Sequence, residues 1–545
     1  MSTAPWWQRG TIYQIYPRSF QDSSGDGIGD LAGIVARLDY LAWLGVDAIW
    51  ISPFYPSPLA DGGYDVSDFV DVDPRLGDLD TFDALVARAH ALGIAVVIDI
   101  VPNHSSDEHP WFVESRSSRD NPRRDWYVWR DGRPDGSPPN NWLRVWGGPT
   151  WTLDPRTGQY YLHLFHAKQP DLNWRHPGVK SAMLDVFRFW LERGVDGFRI
   201  DVAHAIMKDP ELRDNPPAEG PSRMHREFGD FDTQLHVHDR GHPDLHAVYR
   251  EIRLLLDSYG DRMAVGEIHE FEWDRWARYY GLHLDELHMP FNFGLLGIPW
   301  TAAAVRGLID SIERAVPPGA WPNWVLGNHD EPRIASRLGE AQARAAVMLL
   351  LTLRGTPTLY YGEELGMRDV AIPPERIQDP WALLNPDRPA LNRDPARTPM
   401  RWSAGESAGF CPPGVEPWLP VGGEVESINV EAQRRDPRSM LALTRALLAA
   451  RRQSEALSLG AYAPLEGTAP EVHAFERTAA GGARAAVVLS FSPDERLVSL
   501  PALAGHIVAV STFMDRTSER VGEDGRLSLR PHEGCLLVPD TPRPR

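Results

Sequence analysis

Cysteine, lysine and long apolar runs are the shortages of this chain. Two cysteines in 545 residues, Cys411 and Cys535, can form at most one bridge and do not make a disulfide framework. Lysine occurs only as Lys168, Lys180 and Lys208, so positive charge is carried by arginine, which we read as genomic composition rather than mechanism. Acidic residues outnumber basic ones, 75 to 56, for a formal net charge of −19. That balance argues against a phosphate-binding surface, because nucleic-acid binding draws most of its affinity from Lys and Arg. Met1–Gly10 has no apolar stretch of signal-peptide length, and the run Ala345–Leu353 is too short to span a bilayer. The expectation is a cytoplasmic monomer or small homo-oligomer with a neutral ligand, no nucleic-acid partner and no membrane partner.

What is present is enough apolar material, 42% of residues, for large cores in a chain too long for one ordinary domain. One pattern recurs: a helix-period stretch ends in Gly, and an apolar strand follows. Ile34, Leu38 and Leu41 share a helical face before Gly45 and Asp47–Ser52; Phe82, Leu85, Val86, Ala89 and Leu92 do so before Gly93 and Ala95–Val101. Gly194 precedes Asp196–Asp201, Gly260 precedes Ala264–Ile268, and Gly355 precedes Pro357–Tyr361. Glycine is favoured just past a helix because it accepts positive φ. Strands rich in Val and Ile without polar alternation are buried on both faces of a parallel sheet. With Thr11–Tyr16, Leu287–Phe293 and Trp324–Gly327 they make eight candidate strands, which predicts an α/β fold of the (β/α)8 barrel type. A doubly wound open sheet is the alternative, but no phosphate-binding glycine fingerprint follows the first strand.

Two regions break the alternation. From Asn103 to Arg175 the chain is rich in Trp, Pro and Gly without helical period, and from about Ala461 it turns to short strands separated by turns. The predicted domains are a barrel in two parts, residues 1–103 and 176–460, an inserted B domain at 104–175 after the third strand, and a C-terminal antiparallel β-sandwich at 461–545.

In a barrel enzyme, catalytic groups lie at the C-terminal ends of strands. Those ends here carry Asn103 and His104, Arg199 and Asp201, Glu267, and Asn328, His329 and Asp330. A lone acid at a strand end is usually a helix N-cap or a solvated loop residue; three acids, two His and one Arg at one end form a constellation. Arg199 and Asp201 are two apart on a strand and share a side. A buried Arg near Asp201 would hold that carboxylate ionised, and apolar Val265 and Ile268 beside Glu267 would raise its pKa. One ionised and one protonated carboxylate is the equipment of a retaining glycosidase. A metal-dependent hydrolase uses similar residues, but the two His lack close metal-ligand spacing.

The segments Gly45–Pro53 (GVDAIWISP), Asp99–His104 (DIVPNH), Gln169–Trp174 (QPDLNW), Gly197–Val202 (GFRIDV), Val265–Ile268 (VGEI) and Leu326–Asp330 (LGNHD) closely resemble glycoside hydrolase family 13, the α-amylase family. Within it they resemble the α-glucosidase and oligo-1,6-glucosidase group. The motifs come in the family's order and the resemblance covers essentially the whole chain. It implies the barrel, B domain and C-terminal β domain, with Asp201 as nucleophile, Glu267 as general acid/base and Asp330 as the third carboxylate. It implies that His104, Arg199 and His329 bond the glucose or Asp201, and a retaining pair about 5–5.5 Å apart. Arg397, in Arg397–Met400, resembles the arginine that pairs with Asp61 of Asp61–Asp65 (DGGYD) to close the pocket behind a terminal glucose. Tyr64, Trp146 and Phe165 match aromatic wall positions. Val202 resembles the residue found in enzymes that cleave α-1,6 bonds, whereas Ala203 and His204 depart from the usual oligo-1,6-glucosidase sequence.

The substrate so implied is a short oligosaccharide or disaccharide, hydrolysed from its non-reducing end with some transglucosylation. The alternatives are an oligo-1,6-glucosidase, or a sucrose- or trehalose-converting transglucosidase or isomerase on the same scaffold. Asp22–Asp30 (DSSGDGIGD) places oxygens as for a hard cation, although Gly33 stands where an EF-hand has its bidentate Glu. Related members bind Ca²⁺ or Mg²⁺ through Asp22, Ser24, Asp26, the Ile28 carbonyl and Asp30, so a structural ion is expected, and no organic cofactor.

Overall fold

The computed structural model describes residues 4–220 and 227–540; Met1–Thr3 and the last five residues of the expected C-terminal domain lie outside them. Eight parallel strands form one sheet: β1 Ile12–Ile15, β2 Ala48–Ile51, β3 Ala95–Ile100, β4 Gly197–Ile200, β5 Met263–Gly266, β6 Met289–Pro290, β7 Asn323–Val325 and β8 Thr356–Tyr360. Their hydrogen-bonded order, β7-β8-β1-β2-β3-β4-β5-β6, is the cyclic order of a (β/α)8 barrel. β6 holds only two residues, one of them a proline without an N–H to give a neighbour.

Both strand faces are buried, which is why the strands read as unbroken apolar runs. Ile12, Ala48, Trp50, Val97, Met263 and Val265 pack in one interior cluster, whereas their neighbours Tyr13, Ile49, Val96, Ile98 and Ala264 pack against the helices. The helix-to-strand glycines take the conformation expected of them: Gly45 closes Leu31–Leu44 at φ 98° and donates its N–H to the Leu41 carbonyl.

Register then places the chemistry. Asp99 lies beside Arg199 in the β3–β4 pairing, and Arg199 beside Val265 in β4–β5. Asp201 and Glu267 directly follow β4 and β5, their N–H groups held by the carbonyls of Ile100 and Ile200, both at 2.9 Å.

The insertion after β3 contains a small antiparallel sheet of Trp129–Arg130, Gln159–Leu162 and Trp151–Asp154. Lys208, in the loop after β4, ties it to the barrel: its Nζ lies 2.8 Å from Asp171 and donates to Asn103 Oδ1 at 2.7 Å. One of the three lysines is thus a buried structural cation. The C-terminal unit is a five-stranded antiparallel sheet (461–464, 472–478, 484–490, 534–538, 507–511) faced by a two-stranded one (496–499, 526–529). Cys411 and Cys535 are both free and buried.

Lys208→Met leaves Asp171 buried without its cation and is expected to cost about 3 kcal/mol of stability. Adding Asp171→Asn removes the stranded charge and restores part of the loss. Denaturant unfolding of the two variants checks this; a double variant no more stable than the single one contradicts it.

Candidate active site

Arg199 is the hub of the site. Its guanidinium is 1% exposed; Nη1 donates to Asp99 Oδ1 at 2.9 Å and Asp201 Oδ1 at 2.7 Å, and Nη2 lies 2.8 Å from Glu267 Oε2. Asp201 and Glu267, from neighbouring strands, are therefore held by one guanidinium and line one cavity. Asp99 went unassigned in the sequence. Its signal was there: a carboxylate inside an apolar strand, on the same side as Val97. It also accepts from Tyr64 Oη at 3.0 Å and Trp50 Nε1 at 3.2 Å.

Glu267 is better supplied with donors than its apolar sequence neighbours suggested. Oε1 takes His269 Nε2 at 3.0 Å, and Oε2 takes the Val202 N–H at 2.8 Å. Val202 sits at φ 36°, a left-handed conformation that strains a β-branched residue and aims this N–H. Burial pushes the Glu267 carboxyl up, but Arg199, His269 and the Val202 N–H overcome it and hold the group below its ordinary range. Asp201 moves the other way: burial raises it, Arg199 opposes, and the charges of Glu267 and Asp99 add to the rise. Both directions run opposite to the expectation from sequence, which had Glu267 raised and Asp201 held ionised by the arginine. Three carboxylates facing one guanidinium favour sharing a proton, and the donors around Glu267 favour its ionised form.

His329 is fully buried and stacked on Tyr64, with ring centroids 5.4 Å apart. Gln14 Nε2 donates to its Nδ1 at 2.8 Å, which leaves the proton on Nε2, 2.8 Å from Tyr64 Oη and 3.3 Å from Asp330 Oδ2. His104 lies between the Asn103 and Gln169 amides, each at 3.0 Å. Burial lowers both histidines to about 3, so each is neutral at ordinary pH.

The far end of the cavity corrects one expectation. Arg397 does not pair with Asp61: its Nη2 binds Asp330 Oδ1 at 2.7 Å and its Nε the His329 carbonyl at 2.7 Å. Arg393 takes Asp61, at 2.9 Å, and also holds Asp379 at 2.7 Å and Asp330 at 3.2 Å. A 3-10 turn, Asp394–Ala396, separates the two arginines and presents them to different acids. Gln169 Nε2 donates to the other Asp61 oxygen at 3.0 Å, and burial, against Arg393, raises Asp61 to about 6. Burial pushes Asp330 up, but His329, Arg393 and Arg397 overcome it and hold it below its ordinary range. Arg393, Asp379 and Trp381 lie in the irregular segment after β8, where no periodicity pointed to them.

Trp146 and Phe165 line the cavity as expected; Trp146 stacks on Trp381, centroids 5.8 Å apart and nearly parallel. In the acidic loop, Asp22 accepts from the Gly25 and Gly27 N–H groups at 2.7 and 2.9 Å, Asp30 from Gly33 at 2.6 Å and Asp26 from Ile28 at 2.8 Å. Ser24 Oγ lies 3.3 Å from Asp22 Oδ1, but among the described residues no three acidic, His or Cys side chains gather as a metal-holding group. Nor, among those residues, is any helix long and apolar enough to cross a membrane.

The family model for the alpha amylase catalytic domain matches residues 14–460. A probable alpha-glucosidase of Rhizobium meliloti (strain 1021) is 46% identical over 468 residues, 84% of each chain. The oligo-1,6-glucosidase of Parageobacillus thermoglucosidasius is 38% identical over 91% of this chain and 92% of its own. The crystal structure of an alpha-glucosyl transfer enzyme, XgtA, superposes with a TM-score of 0.92 at 42% identity, covering 98% of this chain and all of that one.

Burial raises Asp99 to about 6, with Arg199 and Tyr64 opposing and Glu267 adding to the rise. A further proton entering the cluster there neutralises the side shared by Asp99 and Asp201, so kcat/KM is expected to fall as pH drops through about 6. Asp99→Asn removes one negative charge beside Arg199 and is expected to move this acid limb down by about one pH unit. An acid limb that stays put or moves up contradicts the shared-proton account.

Proposed function

The chain belongs to the α-amylase family of glycoside hydrolases as an α-glucosidase, and from that premise we propose that it removes single glucose units from the non-reducing ends of short α-glucosides by double displacement. The observation that carries the proposal is the placing of Asp201 and Glu267 on one guanidinium in one cavity. In the first step Asp201 attacks C1, the bond from C1 to the glycosidic oxygen breaks, and Glu267 gives its proton to that oxygen. In the second, Glu267 takes a proton from water, whose oxygen attacks C1 and releases Asp201, restoring the α-configuration. The sugar's developing positive charge beside Asp201 favours that group ionised, which leaves the cluster's proton for Glu267.

Exo action is supported by the charged network of Asp61, Arg393, Asp379, Asp330 and Arg397 at the end of the cavity. Its ions are supplied with counter-charges and can hydrogen-bond the far hydroxyls of one terminal glucose. Neutral His104 and His329 would do the same for nearer hydroxyls, while Tyr64, Phe165 and Trp146 offer faces to the sugar ring. Val202 beside Asp201 favours α-1,6 bonds within the substrate range. A second reading, transfer of glucose to a sugar acceptor, is supported by the whole-length likeness to the alpha-glucosyl transfer enzyme.

We also propose loop 22–30 as the seat of a structural Ca²⁺ or Mg²⁺, held by Asp22, Ser24, Asp26, the Ile28 carbonyl and Asp30 and remote from bond cleavage. The ion would draw these carboxylates off the loop amides. Chelation is then expected to lower the melting temperature by a few degrees, about the loss of a ligand present near 100-fold over its Kd; identical melting with EDTA and with CaCl2 ends this proposal.

Glucose is expected to leave maltose, isomaltose and longer oligomers one unit at a time as the α-anomer. Arg393→Ala, which strips Asp61 of its cation, is expected to raise KM for disaccharides about 100-fold, the cost of losing a hydrogen-bonded buried charge. Polarimetry and kinetics check both; internal cuts in long starch, or an unchanged KM, contradict the closed pocket.

A further inference from the structure

One guanidinium on the cavity wall differs from the rest. Arg199, Arg393 and Arg397 each hold carboxylates at hydrogen-bond distance. Arg240 also lines the cavity, but its ion-pair partner, Asp239 Oδ2, is 3.6 Å away, and that oxygen already takes His236 Nδ1 at 2.6 Å. Arg240 Nε is buried with no hydrogen-bond partner among the described residues. What fixes the group is an aromatic face: Phe231, itself stacked on His236 at 3.7 Å, lies 4.9 Å below the guanidinium carbon. Cation–π contact orients a guanidinium without using up its donors.

Its position is on the leaving-group side. Arg240 belongs to the loop after β4, where the next residue, Gly241, donates its N–H to the His204 carbonyl at 2.7 Å. His204 Nδ1 in turn lies 3.3 Å from the Glu267 carbonyl. The Asp61–Arg393 pair closes the glucose end, so Arg240 faces what Glu267 releases. Val145, Phe228, Phe293 and Leu296 make other parts of the wall apolar, and Glu331 and Asp330 are its acids besides Asp61 and the Asp201–Glu267 pair. A guanidinium held in a half-enclosed site with donors to spare suits an oxyanion, which it can bind through two parallel N–H bonds.

We infer that Arg240 recognises an oxyanion, a carboxylate or a phosphate, on the leaving group, so that the substrates of this enzyme include α-glucosides of acidic aglycones. The inference rests on the α-glucosidase reading above and adds the chemistry of the departing half.

The test compares two matched pairs: α-glucosylglycerate against α-glucosylglycerol, and trehalose 6-phosphate against trehalose. The wild-type enzyme is expected to favour the anionic member of at least one pair in kcat/KM, and the pair that responds identifies carboxylate or phosphate. Arg240→Gln is expected to reduce that anionic-to-neutral ratio about 30-fold, the scale of one charge-assisted hydrogen bond, while Arg240→Lys keeps part of it. A ratio that Arg240→Gln leaves unchanged in both pairs, in an enzyme that still cleaves isomaltose, overturns the role of Arg240 and leaves the α-glucosidase reading standing. Absence of turnover on every α-glucoside overturns both.

Discussion

The Arg199 guanidinium carries a single positive charge into a place where three carboxylates meet. Breaking a buried ion pair by removing one partner typically costs several kcal/mol, so this arginine fixes both the β3–β5 strand ends and the charge state of the site. One cation cannot neutralise Asp99, Asp201 and Glu267 together, and the unbalanced charge keeps a proton within the cluster. A retaining glycosidase needs one such proton, on loan to the leaving group and returned by water. On the proposed mechanism, acid–base catalysis draws on this excess of buried negative charge.

A second arginine system works on the same principle with a different outcome. Arg393 and Arg397 face Asp61, Asp379 and Asp330, and here Asp330 is held firmly ionised. On the proposed function that end serves binding rather than proton transfer, with paired ions and neutral His104 and His329 as partners for hydroxyls. The loop after β8 supplies the arginines and Trp381, while the insertion after β3 supplies Trp146, Phe165 and Gln169. The barrel provides the Asp201–Glu267 pair, and segments that interrupt its alternation provide the cavity's other walls.

What the sequence made legible was what local periodicity controls. Helix-ending glycines and two-face-buried strands located the barrel, and strand ends located Asp201, Glu267 and Asp330. Residues whose role depends on distant partners were harder. Asp99 was hidden inside a strand, because its importance comes from lying beside Arg199 in register rather than from a strand end. The direction expected for Glu267 failed for a related reason: Val265 and Ile268 adjoin it in sequence, but Arg199 and the Val202 N–H come from the neighbouring strand, and only His269 of its donors lies nearby in the chain. Arg393 was passed over for Arg397 because an irregular loop gives no period from which to infer direction. Lys208 carried no signal of its own, because its partners Asp171 and Asn103 lie far from it along the chain.

The central claim is that the shared guanidinium presents Asp201, and no other member of the cluster, to the anomeric carbon. A fluorinated α-glucosyl fluoride that esterifies the enzyme quickly and leaves it slowly would trap the intermediate for peptide mass spectrometry. The account predicts one glucosyl adduct per chain, carried on the Asp201 side chain and lost when the trapped enzyme is allowed to turn over. An adduct on Asp99 or Glu267, or full turnover with no ester formed, would contradict it.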